Sequence, residues 1–139
     1  MSKTSLAVDS FKEQYLDLFF DLCFDQRVLM LSGDSGTGKS FVGKVLYSFR
    51  DKYNIKYFDY HDIEKKEEVL QEISRQKNTL FVFDNADILL GEELRNAIIR
   101  DRNNQYLIIG RNTNGLFLRS NNLVDISINN CVVRFIHML

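Results

Sequence analysis

The stretch Arg27-Val-Leu-Met-Leu-Ser-Gly-Asp-Ser-Gly-Thr-Gly-Lys-Ser40 decides how the chain is read. Its apolar run, Val28 to Leu31, predicts a buried strand. The segment from Phe41 to Arg50 predicts a helix with Phe41, Val42, Val45, Leu46 and Phe49 on its apolar side. Between them, Gly33-x-x-x-x-Gly38-Lys39-Ser40 fills every fixed position of a phosphate-cradling loop set between strand and helix.

The residue types suit that chemistry. Glycines let successive amide N–H groups approach phosphate oxygens, and the following helix N-terminus adds a favourable dipole. Lys39 would bring a flexible point charge to the terminal phosphates, and Ser40 would place a hydroxyl on Mg²⁺. Candidate nucleotide contacts are therefore Gly33, Asp34, Ser35, Gly36, Thr37, Gly38, Lys39, Ser40 and Phe41. Gly33-Asp34-Ser35-Gly36 also resembles the nucleophile segment of trypsin-like proteases. That chemistry needs a base and an orienting acid, only His61 and His137 could serve as base, and Lys39-Ser40 has no place in it.

A length of 139 residues allows one domain with a substantial core. The formal net charge of -1 supplies no global attraction to DNA or to an acidic membrane, although a local basic face is still compatible with it. Two cysteines, Cys23 and Cys131, are too few for a disulfide scaffold, and their apolar neighbours predict buried free thiols. No segment reads as a signal peptide or a spanning helix, so a cytoplasmic protein with no membrane partner is expected.

Outward from the loop, Ser10-Phe-Lys-Glu13 can form a capping box, and Phe11, Tyr15, Leu16, Phe19, Phe20 and Cys23 recur at helical spacing. A helix packing on the domain is expected over about 10–23. Ile55 to Tyr60 predicts a strand near an edge, Ile63 to Ile73 an amphipathic helix, and Thr79 to Asp84 a central strand. Glu92 to Arg100 predicts a short helix, and Tyr106 to Ile109 a fourth strand. Alternation at Val124, Ile126 and Ile128, and again at Cys131, Val133 and Phe135, predicts a terminal strand or hairpin running to 139. Strands alternating with helices predict an α/β three-layer sandwich with a mostly parallel central sheet. Gly33, Asp84 and Gly110 each follow a strand at the end where such sheets gather ligands.

These features resemble a P-loop ATPase of the additional-strand class, closest to the AAA+ family, over about 27–128. The resemblance implies P-loop NTPase architecture, ATP and Mg²⁺ as cofactors, and a second acidic motif. Leu80-Phe-Val-Phe-Asp84 matches that motif's strand and aspartate, which places Asp84 with Ser40 at the metal. Asn85 stands where the family usually carries the glutamate that activates water; an amide can orient water but cannot take its proton. Asp87 is the candidate substitute base, the alternative being a cap for the following turn. The family's polar sensor falls on Arg111 or Asn112. Arg100 and Arg102 are candidate fingers toward a neighbouring subunit. The family's helical lid is not expected after Phe135, which suggests a minimal nucleotide-binding domain whose site a protein partner or self-association would complete.

The expected function is ATP and Mg²⁺ binding with slow hydrolysis of the γ-phosphate. Absence of the Asn/Thr-Lys-x-Asp guanine signature favours ATP over GTP. Alternatives are a nucleotide-regulated protein- or DNA-binding module with little turnover, and a small-molecule or nucleotide kinase.

Overall fold

A computed structural model of the chain describes residues 8–32 and 38–138. Strand β1 (Ser10–Tyr15) turns back on β2 (Leu18–Cys23), followed by β3 (Val28–Leu31) and helix α1 (Lys39–Ser48). Next come β4 (Ile55–Phe58), a 3-10 helix at Tyr60–Lys65, α2 (Lys66–Arg75) and β5 (Leu80–Phe83). The single turn α3 (Ala86–Leu89) and helix α4 (Glu92–Arg100) lead to β6 (Gln105–Ile109) and the hairpin of β7 (Leu123–Asn129) and β8 (Val132–His137). The described strands form one sheet in the order β1-β2-β8-β7-β3-β6-β5-β4. From β7 to β4 the neighbours run parallel; β1 on β2 and β7 on β8 are antiparallel, and β2 meets β8 in parallel.

The expected helix over 10–23 is instead the β1–β2 hairpin. A spacing of four between Phe11, Tyr15 and Phe19 fits a helix. The segment also alternates within each strand: Phe11 on one strand and Phe20 and Leu22 on the other are fully buried on one face, while Phe19 falls on the opposite face. The turn lacks an Asn-Gly signal: Leu16 and Asp17 bridge the paired Tyr15 and Leu18, with Leu16 at φ 53°. The capping box does not form either. Glu13 pairs with Lys52 and accepts a hydrogen bond from the Tyr53 hydroxyl at 3.1 Å, both just beyond α1.

The open three-layer sandwich is also overturned, and with it the P-loop, Walker A and AAA-like architecture and the family resemblance. The mixed sheet of eight strands curls through 245° into a half-barrel with packing helices. The physical cause lies in the segments read as a packing helix and a terminal hairpin. Together they add β1, β2 and β8 beyond β7, lengthening a sheet whose strands each contribute right-handed twist. Helix α1 occupies the inner face, where Val42, Val45 and Leu46 join Phe11, Phe20, Leu29, Leu80, Leu107 and Val133 in one core cluster. The far strands wrap toward the helix: Phe11 meets Phe49 at 5.4 Å and Tyr53 at 5.0 Å between ring centroids, and Phe20 meets Phe41 at 6.1 Å. At the other end the helix approaches the sheet through Gly43, where an added Cβ would lie 3.0 Å from Tyr57 and 3.1 Å from Ile109. A second cluster, with Val69, Ile73, Leu94 and Ile98, covers the outer face of β3 to β6.

Both cysteines are exposed rather than buried. Cys23 takes an outward position in β2, and Cys131 shares the β7–β8 turn with Asn130, both at positive φ. Apolar neighbours in sequence do not bury a residue that strand alternation or a turn directs outward. Among the described residues no helix is long and apolar enough to cross a membrane.

Strand alternation makes a contrast that denaturant unfolding can measure. Phe11→Ala should lose about 3–5 kcal/mol, as expected for a large buried ring, whereas the exposed Lys12→Ala should stay within about 0.5 kcal/mol. Similar losses for both variants would rule out this inward face for β1.

Candidate functional site

Because β3, β5 and β6 run parallel in close register, their C-terminal ends share one edge of the sheet. Helix α1 starts at that edge, its N-cap Gly38 at φ 88° in the left-handed region that glycine tolerates. Lys39 is buried at 8% exposure, and Ser40 is exposed. The expected contacts Gly33, Asp34, Ser35, Gly36 and Thr37 lie outside the described residues. Phe41 is partly exposed, its ring against Tyr15 and Phe20 of the hairpin.

Asp84, at 3% exposure, is the centre of the arrangement. Its Oδ1 accepts hydrogen bonds from Ser40 Oγ at 3.1 Å and from the Asn85 amide at 2.8 Å; its Oδ2 accepts one from the Tyr57 hydroxyl at 2.6 Å. Burying a carboxylate is costly unless donors satisfy it, and three different segments supply them here. Burial, then the hydrogen bond to Asp84, raises the Tyr57 pKa well above the ordinary phenol value, so the hydroxyl stays a donor. Asn85 itself is exposed and takes a left-handed conformation, φ 49° and ψ 45°, at the start of α3.

Asp87 and the loop after β6 form a second arrangement. Asp87 Oδ1 accepts from the amides of Arg111 at 2.9 Å and Asn112 at 2.7 Å, and Oδ2 accepts from Arg111 at 3.1 Å. Gly110 makes room for this contact: a Cβ there would stand 2.8 Å from Asp87 Oδ1. From the other side the buried Arg95 donates to the carbonyls of Leu90 at 3.0 Å, Asn112 at 2.6 Å and Asn114 at 2.9 Å. Burial lowers the Arg95 pKa, and the charge of Asp87 acts in the opposite direction. Asn112 is thus held by both its amide and its carbonyl, which fixes the backbone that carries the exposed Arg111 and Asn112 side chains.

The structure therefore gathers Ser40 and Asp84 into direct contact and joins Asp87, Arg111 and Asn112 through backbone bonds. Arg100 and Arg102 belong elsewhere, at the end of α4 leading into the opposite end of β6. Two participants were missed from sequence. Tyr57 reads there as an ordinary strand aromatic, and Arg95 as one charge on an amphipathic helix; the strand order and the return of the loop after β6 reveal their partners. Among the described residues no group of three or more His, Cys, Asp or Glu is placed to hold a metal ion.

No protein-family model matches this chain, and no curated protein is found to match it.

Proposed function

We propose that the chain binds ATP with Mg²⁺ where Lys39 and Ser40 open α1 and Ser40 meets Asp84, and that it hydrolyses the γ-phosphate slowly. The observation that carries this reading is the 3.1 Å hydrogen bond from Ser40 to Asp84, which joins the first turn of α1 to the end of β5. A hydroxyl and a carboxylate suit Mg²⁺, which is commonly held by one or two carboxylates together with phosphate oxygens and water rather than by a full protein cage. When bound, the ion would neutralise and bridge phosphate charge.

The chain's own residues divide the remaining work. Lys39 would hold phosphate charge, and the glycine-rich stretch before it would supply amide donors. Tyr57 keeps Asp84 oriented from the sheet side. Arg111 and Asn112 would respond to the terminal phosphate from a loop that Asp87 and Arg95 hold in place. Slow turnover is expected because Asn85 lacks the basicity to take a proton and the carboxylate of Asp87 is engaged by two amides. That engagement also favours a second reading, a nucleotide-regulated module with very little turnover that acts on a protein partner.

Thermal unfolding with and without ATP and Mg²⁺ tests the binding. At about 100 times Kd the nucleotide should add about 2.7 kcal/mol of stability. Chelation or Lys39→Ala should remove most of the gain, and Ser40→Ala part of it. A gain independent of Mg²⁺ and of Lys39, or no gain at millimolar ATP, would overturn the site.

Hydrolysis assays separate the two roles of Asp87. An asparagine oxygen can still accept the amides of Arg111 and Asn112, so Asp87→Asn should retain much of the rate if the residue holds the loop. Asp87→Ala should lower it about tenfold or more, the equivalent of losing hydrogen bonds to a charged group. Equal loss in both variants would make Asp87 the base.

A further inference from the structure

We infer that the free edge of β4, at the end of the sheet, is a docking strand for an extended acidic peptide of another protein. Among the described residues β4 pairs with β5 alone. The carbonyls of Asn54 and Phe58 accept from the Leu80 and Asp84 amides at 2.9 Å and 2.8 Å, so backbone groups at alternate positions are turned toward β5. The intervening Ile55 and Tyr57 direct their N–H and C=O groups the other way. A cavity of about 350 Å³ lies there, lined by all four residues of β4. Consecutive strand residues place their side chains on opposite faces, so a cavity touching all four follows the strand's edge rather than either face.

The walls make this edge a slot. On the inner side are Tyr47 at the end of α1 and Arg50 just after it, and on the outer side are Lys65, Glu68, Val69 and Glu72. An added strand would take its main-chain bonds from Ile55 and Tyr57 and set alternate side chains against the two walls. The charges select its chemistry. On the outer wall Lys56 lies 3.8 Å from Glu72, and Lys65 and Glu68 are of opposite sign. The inner wall contributes the single charge of Arg50, whose guanidinium stacks 4.6 Å above the Tyr47 ring. A carboxylate on the inward-facing side of the incoming strand would meet that cation beside two aromatic rings, since Tyr47 and Tyr57 stand 5.8 Å apart. A second copy of this chain fits poorly: β4 against β4 would bring two Arg50 guanidiniums to one seam with no cavity-lining carboxylate on the inner walls to face them, and opposed like charges destabilise a strand pair. The inference does not depend on nucleotide binding.

Fluorescence anisotropy with the full chain and two labelled peptides, Thr-Val-Glu-Val-Thr and Thr-Val-Lys-Val-Thr, tests it. The glutamate peptide should bind saturably and the lysine peptide about tenfold more weakly, the size of a single favourable charge pair at a partly buried site. Arg50→Glu, a change at an exposed position, should reverse that preference. Amide exchange followed by NMR should show new protection at Ile55 and Tyr57, with Lys56 and Phe58 unchanged because they already bond to β5. Equal affinity for both peptides, no binding at millimolar concentration, or protection confined to other strands would each overturn the proposal. A concentration-dependent dimer that protects the same two amides would overturn it in favour of a second copy.

Discussion

Packing of the buried face of α1 against the concave side of the curled sheet is the constraint on which the rest of the structure depends. A strand of β1 and a strand of β4, at opposite ends of the sheet, both reach this one helix and the turn after it, the first through Phe11 and Glu13 and the second through Tyr57 at Gly43. A flat sheet of the same strands could not bring both ends to one helix. The close contact at Gly43 works because no Cβ intervenes, so the helix settles onto Val82 and Ile109 as well as Tyr57. Burial of aromatic and aliphatic area around one cylinder thereby sets the curvature, and the curvature sets where α1 begins.

The polar edge inherits its order from that packing. Lys39 and Ser40 open α1, so their position follows from how the helix is seated. Tyr57 joins the two levels: its ring packs with the inner core and its hydroxyl holds Asp84. A buried carboxylate satisfied by groups from β4, α1 and its own chain neighbour is a strong local restraint, because losing any donor would leave part of its desolvation uncompensated. No buried side-chain nitrogen or oxygen among the described residues lacks a hydrogen-bond partner, in keeping with a settled polar layer.

The two ends of the sheet differ in what they offer. At one end β1 is tied to the turn after α1 by Glu13, Lys52 and Tyr53. At the other end β4 is short, carries Lys56, and keeps an edge lined by the ends of two helices. A short strand with a lysine resists edge-to-edge association while still leaving main-chain groups for a selected partner.

Much of the middle of the chain is legible in its residues. Val28 to Leu31, Leu80 to Phe83 and Tyr106 to Ile109 are continuous apolar runs that suit strands buried on both faces, and Glu92 to Arg100 has a clear helical period. The alternation of Val124, Ile126 and Ile128 likewise marks β7, and Ser40 and Asp84, paired from their residue types, do meet in the fold. The N-terminal segment is not legible in this way, because Phe11, Tyr15 and Phe20 fit a helical spacing and a strand alternation at once. The hydrophobic effect rewards either arrangement, and only the presence of β8 to pair with and α1 to cover selects the hairpin. Sequence alone thus determined the buried strands and the principal helices, and it singled out Ser40 and Asp84, which the fold brings within hydrogen-bond distance. Tertiary structure decided the curl of the sheet and the partners of Tyr57, Asp87 and Arg95, since each depends on contacts between segments far apart in the chain.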